Sequence, residues 1–243
     1  MFLALLMAAA QPAAPAISHA SPATIEAPIR ADSMALVKVL NPDGPMVDMV
    51  VRNFRNSMDS TVAGNEDYLA LEKDYPGISK ALIDAMTETM RADLVSDLPV
   101  LRGRYAHFYA ELFTADETAE LIRFYTSKSG HALVAAKFAK IDATPLMADF
   151  VADPDSPVSQ QHIRDINRTA TRSILTEMSD EDKAALLDFA KTPAFRKLAS
   201  ARDSIEQFEA TIANEPDPQL DAALDAATRE VFVKFTGEAP GEE

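Results

Sequence analysis

The chain has 243 residues, and 38 acidic against 23 basic side chains give it a formal net charge of −15 at pH 7. Hydrophobic residues make up 47% and charged residues 25%, a composition that fits a globular protein and excludes a collagen-like fibre or a wholly disordered chain. The absence of cysteine excludes disulfides, cysteine-ligated metals and thiol nucleophiles, and the acidic surface disfavours nucleic acid as a partner.

The first ten residues predict export. Residues 2–10 form an apolar run, and Ala8 and Ala10 have the small-x-small spacing of a signal-peptidase site. We expect residues 1–10 to be a cleaved signal peptide, residues 11–31 to be an Ala/Pro-rich linker, and the mature protein to be periplasmic or secreted. The run is shorter than the 20 or so apolar residues that span a bilayer, so no integral membrane segment is predicted. A disordered Ala/Pro-rich tail is the alternative.

After the linker the hydrophobic pattern is helical throughout. Apolar residues recur at the i, i+3, i+4, i+7 spacing of one helix face. The stretches that show it are 47–58, 78–90, 101–112, 198–212 and 220–235. Pro and Asx residues predict breaks at 41–45, 153–157 and 214–218. We expect one all-α domain over 32–236, a bundle of about seven to nine helices, with a disordered acidic tail at 237–243.

Two segments of the chain, 113–148 and 178–213, resemble each other at an offset of 65 residues, which pairs Phe124 with Phe189. Each segment begins with a hydroxyl residue followed three positions later by an acid, which is a signal for the start of a helix. The pattern predicts two similar helical hairpins around which the bundle is built. Chance similarity between two amphipathic hairpins is the alternative.

The first segment also carries a specific phrase. Its residues are Phe113, Thr114, Glu117, Phe124, Tyr125, Ser127 and Gly130. This phrase resembles the signature of the domain of unknown function 2059 family, although Lys128 stands where that family usually has proline. The resemblance implies a bacterial, signal-bearing, all-helical protein. It implies no activity and therefore no catalytic residues.

The residues of this phrase are better explained by structure than by ligand binding. Ser127 suits the N-cap of the second helix of the hairpin. Gly130 would let that helix approach a neighbour, because glycine has no Cβ. Phe124 and Tyr125 are expected on the core side, where the tyrosine hydroxyl would need a partner if buried.

Candidates for catalytic chemistry are few, because zincin, nucleophile-elbow, P-loop and EF-hand motifs are absent from the sequence. His107 and Glu111 have the i, i+4 spacing that could seat a metal or orient a general base, but such a pair is more often a solvated ion pair. His131, close to a helix start, is a weaker polar candidate. We expect no enzyme activity, no metal and no cofactor.

Two functions of different class remain. The first is a non-enzymatic protein-interaction or structural module that binds another envelope protein, or a second copy of itself, through an apolar groove between the hairpins. The alternative is a small-molecule or lipid carrier with an apolar pocket between the hairpins. The carrier requires an internal cavity of roughly several hundred Å³, and a solid core would exclude it.

Overall fold

The computed structural model describes residues 29–144, 146 and 157–237, and every regular element within them is helical. The helices are α1 (Ala31–Leu40), α2 (Asp43–Gly64), α3 (Glu66–Asp74), α4 (Ile78–Leu112), α5 (Ala115–Tyr125), α6 (Lys128–Lys140), α7 (Gln160–Glu177), α8 (Asp180–Phe189), α9 (Pro193–Ser200), α10 (Arg202–Ala213) and α11 (Pro218–Thr236). The predicted signal peptide, the linker up to residue 28 and the tail from residue 238 lie outside the described residues.

The all-α prediction is confirmed, but the predicted number of helices is too low, because the described residues alone form eleven. Two breaks account for much of the difference. Asn65 separates α2 from α3 and caps α3, since its side-chain oxygen accepts hydrogen bonds from the backbone N–H groups of Asp67 and Tyr68. Ala201 lies between α9 and α10, so one predicted apolar stripe is shared by two helices.

Helix α4, which has 35 residues, is the spine of the fold and packs against α1, α2, α3 and α11. It contains both apolar stripes predicted at 78–90 and 101–112. Pro99 lies inside it on an exposed face, between the exposed side chains of Val95 and Val100. The carbonyl freed by the missing proline N–H is therefore on the solvent side, where the helix can continue.

The main core lies along the inner faces of α1, α2, α4, α6 and α10. Its largest fully buried side chains include Tyr105, Tyr109, Phe138 and Met46. A smaller cluster joins the first turns of α4 to the last turns of α11. Because this burial removes apolar surface from water along most of the helices, it is the main source of their stability.

Two polar contacts fix the chain outside the helices. Arg30 donates hydrogen bonds to the carbonyl oxygens of Ala110 (3.2 Å) and Phe113 (2.7 Å), which the end of α4 leaves without helical partners. The Asn214 amide, in the predicted break after α10, exchanges hydrogen bonds of 2.8 and 2.9 Å with the backbone of Val158. Both contacts tie segments that are distant in sequence.

Among the described residues, no helix has both the length and the apolar character needed to cross a membrane.

Candidate functional site

The two segments that resemble each other contain the helix pairs α5–α6 and α8–α9, for which we keep the names first hairpin and second hairpin. Within the first pair α5 packs against α6, and the hairpin packing of the second pair stays a prediction. The first helix of each hairpin packs against the second helix of the other, so α5 contacts α9 and α6 contacts α8. At the centre, the rings of Phe124 and Phe189 stack with 3.9 Å between their centroids. These two residues are paired by the 65-residue offset. Duplication of the hairpin stays a prediction.

Polar contacts between the hairpins follow the same crossed pattern. Glu120, on α5, accepts a hydrogen bond of 3.0 Å from the backbone N–H of Ala194 at the start of α9. Lys128, at the start of α6, forms an ion pair of 3.1 Å with Glu181 on α8. Carboxylates at helix N-termini are favoured by the helix dipole. In this protein they also join one hairpin to the other.

The motif residues of the first hairpin have defined structural roles. Thr114 and Glu117 form a reciprocal capping box at the start of α5. The hydroxyl of Ser127 accepts from the N–H of Gly130, at 3.2 Å, and caps α6. A Cβ at Gly130 would lie 2.1 Å from the carbonyl oxygen of Phe124, so this turn requires glycine.

The remaining aromatic motif residues belong to the packing of the hairpins. Phe113 is buried, and its ring packs near that of Tyr109. Tyr125 meets the ring of Phe189 edge-on, with 5.9 Å between centroids, and burial raises its pKa to about 12. These aromatic motif residues therefore pack between helices and do not line an open site.

A groove opens beside the hairpins, between α6, α7, α9 and α10, and we call it the hairpin groove. Its volume is about 380 Å³. It is lined by Lys137, Ile141, Asn167, Ala170, Thr171, Ile174, Phe195, Leu198, Ala199, Arg202, Ile205, Glu206 and Glu209. The lining is mainly apolar, and its charged side chains come from α6 and α10. The groove is open to solvent and is not an enclosed cavity.

An ion-pair network fixes the α7–α10 side of the groove. Glu206, almost fully buried, accepts from Arg164 Nε at 2.9 Å and from Arg202 Nε at 2.6 Å. Arg164 also reaches Asp203 at 2.9 Å. A buried carboxylate is costly unless it is paired. The two guanidinium groups therefore allow Glu206 to lie in an otherwise apolar wall.

A second pair of charges lies on the α6 side. Lys137 is half-buried, and desolvation lowers the pKa of its amine to about 8, while the nearby carboxylate of Glu209 acts in the opposite direction. Glu209 itself is fully buried. The amine of Lys137 also lies 5.1 Å from the centre of the Phe138 ring. A weakly solvated cation is thus present at the edge of an apolar surface.

The three weak polar candidates from the sequence do not contribute to this groove. His107 is half-buried and Glu111 is exposed on α4, and no hydrogen bond or ion pair joins them within the described structure. His131 is exposed in the first turn of α6. None of the three lines the groove.

Sequence reasoning missed a cluster of carboxylates at the α4–α11 junction. Ligand atoms of Asp93, Asp97 and Asp217 lie within 4.8 Å of one another. Burial raises the pKa of Asp93 to about 6, and the charges of Asp217 and Asp97 add to this shift. The i, i+4 spacing of the first two was a visible signal, but the contribution of Asp217 depends on tertiary structure. Exposed acidic clusters are common without a bound ion.

The hairpin groove was also not localised by the sequence. Residues from four helices line it, and three of those helices lie after residue 156. The sequence pattern indicates only the apolar stripe at 198–212, which includes Leu198 and Ile205. A signal that could have found the groove was the charge of Arg202 and Glu206 within that stripe.

Comparison with known proteins relates part of the chain to a family of bacterial proteins. Residues 100–149 match the family model DUF2059, described as an uncharacterized protein conserved in bacteria. The predicted resemblance is therefore confirmed. The DUF2059 match covers 50 of the 243 residues, from the second half of α4 through α6. No curated protein and no solved structure matches the chain.

Proposed function

We propose that this protein is an exported, non-enzymatic binding protein and that its ligand occupies the hairpin groove. The observation that carries the proposal is an open, mainly apolar depression of about 380 Å³ formed by four helices. Exposed apolar surface of this kind commonly marks a binding site. The non-enzymatic part rests on the absence of recognised catalytic motifs from the sequence, and export rests on the apolar N-terminal run.

The dimensions of the groove support the small-molecule or lipid carrier, which was the alternative function from the sequence. Pockets for small ligands have volumes of roughly 300–1,000 Å³, and the groove falls within this range. A stable protein interface buries about 800 Å² on each partner, which requires a larger surface than the groove alone.

The protein-interaction module is the second candidate, and a different observation favours it. Leu187, on α8, is 66% exposed, and Leu175, near the end of α7, is 43% exposed. An apolar segment of another envelope protein, or of a second copy, could contact such side chains and extend into the groove, which is open on one side.

Native mass spectrometry of the mature protein, purified gently from the envelope of its own host, tests the proposal. A reproducible additional small mass supports the carrier. A mass that corresponds to a second polypeptide or a second copy supports the interaction module. The mass of the mature chain also gives the cleavage site directly, and a chain that retains residues 1–10 would contradict the predicted signal peptide.

A photo-crosslinking residue at Leu198 locates the binding site. Leu198 lines the groove, and the exposed Lys38, on α1, provides the matched control position. We expect an adduct from Leu198 and none from Lys38. Equal adducts at both positions, or no adduct at Leu198 together with a bare chain mass, would overturn the groove as the binding site.

A further inference from the structure

We propose that the hairpin groove binds a single-chain amphiphile with an anionic head, held by Lys137 and Arg202, while the chain lies along the apolar lining. This inference rests on the proposed function, which makes the groove the binding site. It adds the chemical class of the ligand and the two side chains that select it.

The apolar part of the lining comes from three of the helices and from the residue that follows α6. Ile141 is that residue, and Ile174 lies on α7, Leu198 on α9 and Ile205 on α10. These side chains supply contact surface without a directional requirement, which suits a methylene chain. The volume of the groove matches a small ligand and not an extended lipid surface.

The polar part of the lining includes two cationic side chains, Arg202 and Lys137. Arg202 engages Glu206 through Nε alone, and its two Nη groups make no hydrogen bond within the described part of the chain. The amine of Lys137 lies over the ring of Phe138 and close to the carboxylate of Glu209. Hydrogen bonds between such cations and an anionic oxygen are stronger than neutral ones. Two such donors beside an apolar wall fit the head of an anionic amphiphile.

The acidic groups in the lining do not reverse this preference. Glu206 is already neutralised by Arg164 and Arg202, and Glu209 lies next to Lys137. A cationic head would meet the guanidinium group of Arg202 and the amine of Lys137. An uncharged head would form no charge-assisted hydrogen bond with Lys137 or Arg202.

The protonation state of Lys137 gives the site a characteristic pH dependence. Burial lowers the pKa of this amine to about 8, so its positive charge is present at pH 7 and is lost as the pH rises through 8. A bound anion favours the charged amine and raises its pKa. Affinity for an anionic amphiphile should therefore fall between pH 7 and pH 9.

The test uses four probes that share a twelve-carbon chain: dodecanoate, dodecyl phosphate, dodecanol and dodecyltrimethylammonium. Each is titrated calorimetrically into the mature protein below the concentration at which it forms micelles. We expect both anions to bind with one-to-one stoichiometry, dodecanol to bind about tenfold more weakly, and the cation to show no binding, since a lost charge-assisted contact corresponds to about this factor.

Two substitutions at Lys137 test the role of the amine. Lys137→Met should weaken dodecanoate binding about tenfold. Lys38→Met, on the exposed side of α1, makes the same change in net charge and should have no effect. Lys137→Arg keeps the charge at every pH used, so it should retain binding and abolish the decrease between pH 7 and pH 9.

A third substitution tests the groove itself. Ala199→Trp places a bulky side chain in the lining and should abolish binding of both anions. Ala139→Trp, at an exposed position of α6 outside the lining, is the matched control and should bind normally. Thermal unfolding of each variant shows whether it remains folded.

Several results would overturn the inference. Equal affinity for dodecanol and dodecanoate would show that the groove does not recognise an anionic head. Equal losses of dodecanoate affinity in Lys38→Met and Lys137→Met would show the same. Binding to phosphatidylglycerol vesicles without binding to any monomeric probe would show that the ligand is a membrane surface and not a single-chain amphiphile. If no probe binds while Leu198 crosslinks to a polypeptide, the inference fails and the groove remains the binding site. If neither occurs, both proposals fail.

Discussion

In the first hairpin the turn between α5 and α6 depends on Gly130, whereas in the second hairpin the turn between α8 and α9 carries Thr192 and Pro193 and has Phe195 at the position that matches the glycine. In both hairpins a hydroxyl residue, Ser127 or Thr192, is the N-cap of the second helix. The same local start of a helix is thus compatible with the smallest side chain in one hairpin and a large aromatic one in the other.

The difference between the hairpins has a consequence for the surface. Gly130 brings α6 close against the end of α5, where a Cβ has no space. Phe195 instead contacts the ring of Phe189 edge-on, at 5.3 Å, and lines the hairpin groove. The turn of the first hairpin is therefore the more closely packed of the two, and the second hairpin supplies part of the wall of the candidate binding site.

The largest expected loss of stability comes from a substitution that removes the aromatic contact between the two hairpins. Phe189→Ala removes a buried ring that stacks on Phe124 and meets Tyr125 and Phe195 edge-on, so we expect a loss of about 4 kcal/mol in the free energy of unfolding. Urea denaturation measures it. Leu187→Ala, on the exposed side of the same helix, should change stability by less than about 0.5 kcal/mol.

The second prediction tests the close turn of the first hairpin. Gly130→Ala should destabilise the protein by about 3 kcal/mol, because the new methyl group meets the backbone of α5 and no flexible side chain can move aside. Gly64→Ala, also in a helix, meets nothing within 4 Å and should be neutral or stabilising. Equal chemical-denaturation midpoints for the two variants would contradict the requirement for glycine in this turn.

The third prediction compares the helix starts of the two hairpins. Thr114 takes part in a reciprocal capping box, whereas Ser179 caps α8 by accepting from the N–H of Asp182 at 3.1 Å. Thr114→Ala should cost about 1 kcal/mol, within the usual range for the loss of an N-cap. Ser179→Ala should cost less if the reciprocal bond from Glu117 adds stability. A larger loss at Ser179 would count against a stabilising role for the reciprocal bond.

The smallest effect concerns pH. The hydroxyl of Ser129, on α6, and that of Ser179 lower the pKa of Asp182 below its ordinary value. A carboxyl group whose pKa is lower in the folded state contributes stability above its unfolded pKa, and that stability is lost as the pH falls toward the folded pKa. Below about pH 4 the wild-type protein should therefore lose stability more steeply than Asp182→Asn. Asp180→Asn, which removes the same charge from the same turn, is the control, and an identical pH profile for both variants would contradict the link.

Local sequence was sufficient for much of the framework. Helical periodicity gave the fold class, and the buried stripe that includes Val50 and Phe54 in α2 follows from it directly. Short-range capping signals at Thr114 and Ser127 mark helix starts that the structure contains. The break at Asn65 was missed because one side chain that bonds two N–H groups leaves no periodic signal.

The sequence by itself determined the all-helical architecture, the acidic charge and the DUF2059 phrase, because helix periodicity, charge and a contiguous motif are properties of neighbouring residues. Only the tertiary structure decided that Phe124 stacks on Phe189, that Glu206 is buried between Arg164 and Arg202, and that four helices line an open groove. Those features depend on where helices cross, and burial and side-chain pairing at a crossing are set by contacts that span tens of residues.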